Sequence, residues 1–177
     1  VRGKGTLAMK KFLAGALIIA LLVALPTVAN AAVKSGNQEV RGGIAITYDM
    51  DENTVIKLDA GFGYFVSDMI EVVVWVWVYW DDDASQEDYA LAVAGLFHFA
   101  TTGTTVPYVG VFAAWIGGDH ADWLGDYALG AVLGCKFFMS ESAIMFVEYR
   151  YTHYMDNKTN SSSDGKHEIM TGFAWLF

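Results

Sequence analysis

The chain has 177 residues, of which 54% are apolar, and it carries a formal charge of −9 at pH 7. This length fits one domain, the apolar content excludes a disordered chain, and the negative charge excludes a nucleic-acid binder of the basic kind. The single Cys135 excludes an internal disulfide. Because Cys and His residues do not cluster, the sequence does not indicate a zinc site, and neither a metal site nor a cofactor is expected.

The N-terminal stretch has the features of an export signal. Two lysines precede an apolar run at 12–25, and the sequence Ala29-Asn30-Ala31 fits the small-residue cleavage pattern. The apolar run is short for a membrane anchor, which is the alternative interpretation. We therefore predict that residues 1–31 are a signal peptide for the Sec pathway and are removed during export.

The predicted domain organisation is simple. Met9 is the expected start of translation, with Val1 as the alternative. Loss of residues 1–31 removes four basic residues and no acid, so the mature chain has a formal charge of −9 − 4 = −13. Residues 32–39 are predicted to form an N-terminal segment and residues 40–177 a single β-barrel.

The rest of the chain consists of short runs separated by turns. We count eight runs of about 10–13 residues, the length of a tilted strand that crosses a bilayer. Short, nearly neutral turns alternate with mostly longer, mostly acidic loops such as DDDASQED and GGDHADWLG. This pattern predicts an all-β fold, an eight-stranded antiparallel up-and-down transmembrane barrel located in the outer membrane. The predicted strands are residues 40–49, 54–65, 70–80, 89–99, 106–116, 126–138, 143–155 and 167–177.

Within these strands, alternate residues differ in character. In the first strand Val40, Ile44 and Tyr48 share one face, and Arg41 and Gly43 share the other. Because side chains of one parity lie on one face, the apolar face is predicted to meet lipid and the other to line the lumen. Aromatic residues near the strand ends fit the girdles found where hydrocarbon meets headgroups: Tyr48, Tyr64, Trp80, Tyr89, Phe99, Tyr151 and Phe177.

The stretch EVVVWVWVYW, residues 71–80, is apolar on both faces. If Glu71 points inward, four valines meet lipid and two tryptophans fill the lumen against small residues of the next strand. The predicted register sets Trp75 opposite Ala94 and Glu71 opposite His98. The inverted orientation, with these tryptophans in lipid, is the alternative, because a strand with two apolar faces specifies its parity weakly.

Several segments carry a resemblance to a known family. They are GFGYFVSDM, VPYVGVFAAW, GCKFFMSES, FVEYRYTHYMDN and the final GFAWLF. With them, the whole mature chain resembles the small eight-stranded outer-membrane barrels of Gram-negative bacteria, the OmpA-like transmembrane domain and its OmpX-like relatives. The resemblance implies insertion by the barrel-assembly machinery through a terminal signal, here Gly172, Trp175 and Phe177, although Met170 departs from the family pattern.

The charged residues that are predicted to point into the lumen are the most informative part of the sequence. They comprise four cations, four anions and one histidine, a balance that indicates ion pairs inside a filled lumen. Eight strands leave room only for side chains, so the barrel is predicted not to conduct. A proton or ion path, and hence a small ion channel, is the alternative. The predicted lumen network is Arg41, Lys57, Asp59, Glu71, His98, Lys136, Glu148, Arg150 and Glu168.

Acidic residues dominate the predicted extracellular loops. They solvate the surface or, alternatively, hold divalent cations near lipopolysaccharide phosphates. Neither DDDASQED nor GGDHAD has a defined ligand spacing, so no metal site is assigned to them. The expected partners are outer-membrane lipid and lipopolysaccharide, with no nucleic acid, and the expected state is a monomer.

The segment YRYTHYMDN resembles part of the outer-membrane lipid A deacylases. His153 stands where their catalytic histidine stands, whereas Met155 occupies the place of the nucleophilic serine. Without that hydroxyl the histidine has no nucleophile to activate, so no catalytic residue is predicted. The sequence favours a structural or interaction role in the outer membrane, with a deacylase-like enzyme as the alternative.

Overall fold

The chain forms a closed antiparallel barrel. A computed structural model describes residues 32–48, 54–81, 86–118, 126–155 and 165–177. Sequential strands pair with one another and the first pairs with the last, which confirms the predicted eight-stranded up-and-down barrel. The part of the chain that the structure describes contains no helix that could span a membrane. The strands are β1 (Gln38–Tyr48), β2 (Thr54–Phe65), β3 (Ile70–Asp81), β4 (Gln86–His98), β5 (Thr105–Gly118), β6 (Tyr127–Phe138), β7 (Ala143–Met155) and β8 (Gly165–Leu176).

The first strand begins at Gln38, two residues before the predicted start of the barrel at residue 40. The backbone N–H of Gln38 donates to the carbonyl of Phe177, and the N–H of Phe177 donates back to Gln38. This pairing with the C-terminus extends β1 to Gln38 and places Glu39 in the barrel wall, where it points inward and is buried. The predicted signal peptide, residues 1–31, lies outside the described residues and stays a prediction.

The strands are staggered around the barrel. Following paired residues once round from Leu176 through Glu39 returns to β8 at Lys166, and 176 − 166 gives an offset of ten residues. A closed barrel needs such an offset because its strands tilt against the barrel axis. Residues at the same height along the barrel axis are therefore displaced from the hydrogen-bonded pairs by slightly more than one residue at each step from one strand to the next.

The two ends of the barrel differ in their connections. The short segments 66–69, 99–104 and 139–142 join strands at the end that we call the turn end. The remaining four connections lie at the opposite end, which we call the loop end. Both Gln38 and Phe177 lie at the turn end.

The inside and outside of the barrel follow the predicted parity. Exposed large apolar side chains cover the exterior, among them Val72, Val74 and Val76 of β3, whereas Trp75 and Trp77 of the same strand are buried. Large inward side chains lie beside small ones, since a Cβ atom on Gly61 would lie 2.5 Å from Cδ1 of Trp75. The inward orientation of Trp75 and Trp77 is confirmed, and the inverted alternative is wrong.

The predicted register between β3 and β4 is wrong by two residues. Trp75 pairs with Ala92 and Glu71 with Leu96, instead of Ala94 and His98. A slip of two residues preserves every side chain's face, and alanines alternate along β4, so the packing pattern alone fits both registers. The observed ladder runs from the pair Ile70–Phe97 to the pair Asp81–Gln86.

An N-terminal strap, residues 32–37, closes the turn end. The N–H of Val33 donates to the carbonyl of Thr101, and the N–H of Gly36, which has a φ of +89°, donates to the carbonyl of Phe65. Val33 is thereby buried as part of an apolar floor across the interior at this end. The floor consists of Val33, Phe65, Val106, Phe138, Ile144 and Leu176.

Candidate functional site: the ion-paired lumen

All nine predicted lumen residues point inward and are buried, each with no more than 5% of its surface exposed. They come from β1, β2, β3, β4, β6, β7 and β8, so only the closed barrel brings them together. Their hydrogen bonds and ion pairs divide them into three clusters, stacked from the turn end to the loop end.

The turn-end cluster comprises Glu39, Glu71, His98 and Lys136. The Nζ atom of Lys136 lies 2.5 Å from Oε2 of Glu39 and 2.8 Å from Oε2 of Glu71. The Nε2 atom of His98 lies 3.0 Å from the same oxygen of Glu71, which is its diagonal neighbour across the β3–β4 pair. One ammonium group therefore joins two carboxylates directly above the apolar floor, and the predicted contact between Glu71 and His98 is present despite the register error.

The central cluster comprises Arg41, Asp59, Glu148, Arg150 and the phenol of Tyr108. Arg41 pairs with Oε1 of Glu148, and Arg150 reaches Oε2 of Glu148 at 2.6 Å and Oδ2 of Asp59 at 2.7 Å. The hydroxyl of Tyr108 also donates to Oε1 of Glu148 over 2.5 Å. Glu148 thus accepts from three side chains on three strands, which offsets the cost of burying its charge.

The loop-end cluster comprises Lys57, Glu168 and Lys166. The Nζ atom of Lys57 lies 2.7 Å from Oε2 of Glu168, and that of Lys166 lies 3.5 Å from its Oε1. Lys166 is partly exposed, with 27% of its side-chain surface open, so this cluster ends where the lumen approaches solvent.

The inward tryptophans of β3 contact the cations as well as fill space. The guanidinium carbon of Arg150 lies 4.2 Å from the centre of the Trp75 ring, and that of Arg41 lies 5.5 Å away. The Nζ atom of Lys57 lies 4.3 Å from the centre of the Trp77 ring. These distances suit cation–π attraction, which is strongest where water is excluded.

Sequence reasoning missed three members of the network. Glu39 was assigned to the segment before the barrel, Tyr108 carries no charge, and Lys166 lies one residue before the predicted eighth strand. With Glu39 and Lys166 included, the described lumen contains five carboxylates, five Lys or Arg side chains and His98. The numbers of positive and negative side chains remain equal, as predicted, although the residues that contribute them differ from the predicted set.

The residues of the predicted insertion signal lie on and beside β8. Gly172 is inward and buried, whereas Trp175 and Phe177 are exterior, with 56% and 58% of their surfaces exposed. Trp175 pairs with Val40 of β1, at the seam that closes the barrel.

The other predicted groups lie away from the lumen. His153 and Met155 are exposed on the exterior of β7 near the loop end, and Cys135 lies half-buried at an exterior position of β6. The described residues contain no group of three or more His, Cys, Asp or Glu that could hold a metal ion. The predicted acidic loops fall largely outside those residues, so cation binding there stays a hypothesis.

An apolar exterior around an ion-paired interior is the reverse of a soluble barrel and is typical of a transmembrane β-barrel. No family model matches the sequence, and comparison with curated proteins gave no match. The structure is similar to the N-terminal β-barrel domain of Pseudomonas aeruginosa OprF, with a TM-score of 0.61 and 15% identity over 81% of this chain and 98% of that one.

Two further structures show the same likeness. Neisserial surface protein A has a TM-score of 0.59 and 17% identity, covering 80% of this chain and 96% of its own. A de novo designed transmembrane β-barrel has a TM-score of 0.58 and 18% identity, covering 82% and 99%. The chain therefore has the fold of the small eight-stranded outer-membrane barrels.

Proposed function

We propose that the chain is an outer-membrane barrel with a structural or interaction role and a lumen that does not conduct. The observation that carries this proposal is the pairing of an apolar exterior with a buried, ion-paired interior. Exterior side chains of this kind are stable against hydrocarbon, and the closed ladder leaves no unpaired edge in lipid.

The orientation follows from the connections. Short turns face the periplasm in barrels of this type and longer loops face outward, so the turn end is periplasmic and the loop end extracellular. The acidic loop sequences join strands at this end, and the proposal is that divalent cations link their carboxylates to lipopolysaccharide phosphates.

The filled lumen favours this role over that of an ion channel. The strap and apolar floor cover the periplasmic end, and the charges above them are paired with one another. An ion that crossed the barrel would have to part the floor and break several buried ion pairs, which is costly at low dielectric.

The exterior of β7 favours a non-enzymatic role. His153 and Met155 share the exterior face, and the thioether of Met155 cannot serve as the nucleophile that a deacylase serine provides. The proposed role of the protein is therefore to bind other molecules and to occupy the membrane, and not to catalyse a reaction.

Outer-membrane assembly is expected to depend on the Phe177 side chain. The Phe177→Ala variant should reach the outer membrane at a severalfold lower level than the wild type, because the barrel-assembly machinery reads the terminal aromatic residue. Its stability after refolding in vitro should change by no more than about 0.5 kcal/mol, because the ring is exposed and its backbone pairing with Gln38 is retained. Cell fractionation and urea unfolding measure the two effects.

Phe173→Ala is the matched control, since Phe173 is an exterior aromatic residue of the same strand with 63% of its surface exposed. This variant should reach the outer membrane at nearly the wild-type level. Equal outer-membrane levels for Phe177→Ala and wild type would contradict the terminal-signal assignment. Wild-type protein found only in soluble fractions would contradict the proposed function itself.

A further inference from the structure

Two histidines lie on adjacent strands of the barrel exterior at the loop end, on either side of the Tyr151 ring. His153 of β7 pairs with Gly165 of β8, and Tyr151 pairs with His167, so the two histidines occupy diagonal positions on one face. Both are exposed. In the eight described strands, they are the only basic side chains at exterior positions. The exterior side chains next to them are aromatic or apolar.

The stagger of the strands places these histidines at the aromatic girdle. The exterior residues nearest the loop end on β4, β5 and β6 include Tyr89, Trp115 and Tyr127, each exposed by 45% or more. Once the shift of ten residues over eight strands is taken into account, His153 and His167 lie at the same height. In the proposed orientation, this is the boundary between the outer leaflet's hydrocarbon and its headgroups.

The ring of His167 is held in a defined orientation. Its Nδ1 atom lies 2.5 Å from the hydroxyl of Tyr149, and its ring lies 5.0 Å from the ring of Tyr151. Tyr151 can lie over β8 because residue 165 is glycine, where a Cβ atom would lie 2.6 Å from the Tyr151 hydroxyl. When the phenol donates to Nδ1, Nε2 is the ring nitrogen that is left to donate an N–H to a ligand.

An apolar groove adjoins the histidines. It has a volume of about 550 Å³ and runs over the exterior of β3 to β6, where Gly95 and Ala113 leave a depression between larger side chains. Leu129, which lines the groove, pairs with His153. His153 thus stands beside the end of an apolar groove that lies within the lipid-facing surface, and His167 stands one strand further on.

We propose that this exterior site binds one phosphorylated glycolipid of the outer leaflet, with its phosphate on His153 and His167 and an acyl chain in the groove. The inference rests on the proposed outer-membrane location and adds a specific lipid site to it. A donor at the hydrocarbon boundary is costly unless it is hydrogen-bonded, and a phosphate oxygen is a strong acceptor. Two imidazoles, each of which can present an N–H, beside an acyl-sized groove match a headgroup phosphate joined to its own chains.

Lipid binding by the refolded barrel tests the proposal. Native mass spectrometry in detergent micelles would measure retention of bis-phosphorylated lipid A, dephosphorylated lipid A and phosphatidylglycerol. The wild-type barrel should retain one bis-phosphorylated lipid A and bind the dephosphorylated form about tenfold more weakly, because the charged acceptor is lost. Retention of phosphatidylglycerol equal to that of lipid A would contradict a glycolipid site.

The variants locate the site. The double variant His153→Gln/His167→Gln should bind bis-phosphorylated lipid A about tenfold more weakly, and Tyr149→Phe should weaken it less, since only the fixation of His167 is lost. Lys34→Gln, at the turn end, is the control and should bind as wild type does. Equal binding by the double variant and the wild type would overturn the proposal, as would equal loss in Lys34→Gln.

Folding is measured in the same samples by heat-modifiable migration on gels. A barrel that folds into bilayers and reaches the outer membrane but shows no preference for phosphorylated lipid A refutes the lipid site alone. A barrel that fails to reach the outer membrane refutes the proposed function.

Discussion

Replacing Lys136 with Met is expected to lower the free energy of unfolding by about 3–5 kcal/mol. Lys136 is fully buried and is the ammonium group that lies within 2.8 Å of both Glu39 and Glu71. Methionine has a similar volume but leaves two carboxylates together above the apolar floor without the cation that compensates them. Urea unfolding of the refolded barrel in lipid vesicles, followed by far-ultraviolet circular dichroism, measures the change.

Two further variants show whether the effect comes from uncompensated charge. Lys34→Met removes an exposed lysine of the N-terminal strap and should leave stability nearly unchanged. The triple variant Lys136→Met/Glu39→Gln/Glu71→Gln removes the buried charges together and should recover most of the lost stability. A triple variant as unstable as Lys136→Met alone would show that shape, and not charge, dominates the turn-end cluster.

Trp75→Ala is expected to destabilise the barrel by about 3–5 kcal/mol. The ring is fully buried, has the guanidinium carbons of Arg41 and Arg150 within 5.5 Å of its centre, and contacts Phe112 at 5.7 Å between ring centres. Its loss leaves a cavity and removes the aromatic face from two cations. Urea unfolding followed by circular dichroism is again suitable, since it does not depend on tryptophan fluorescence.

Trp115→Ala is the matched control because Trp115 is an exterior tryptophan with 45% of its surface exposed. It should cost substantially less, since lipid or detergent fills the space that the ring leaves. The opposite order, with Trp115→Ala the more destabilising, would contradict the inward orientation of β3.

Alternation along the strands was sufficient to predict the barrel and the face of most side chains. Arg41, Lys57 and Glu148 each stand between apolar neighbours, so a period of two identifies them as inward residues. In β3, where both faces are apolar, Glu71 alone set the parity, and the buried Trp75 shows that one charged residue was enough.

Features that depend on distant parts of the chain could not be predicted in this way. Glu39 follows a polar segment, and it belongs to β1 through its pairing with Gly63 of β2 and with Leu176 of β8, the strand that closes the barrel. The register of β3 and β4 was underdetermined because alanines alternate along β4. The ion-pair partners, such as Lys136 and Glu39, are separated by most of the sequence and meet only through the stagger of the closed barrel.

The most direct test of the filled, ion-paired lumen is the conductance of the purified wild-type barrel in planar lipid bilayers, with a general porin as the positive control. The apolar floor and the paired charges predict no stable, reproducible openings, whereas the porin conducts in the same membranes. Steady openings that persist as the protein is purified further, and that scale with the amount of folded barrel, would contradict the filled lumen.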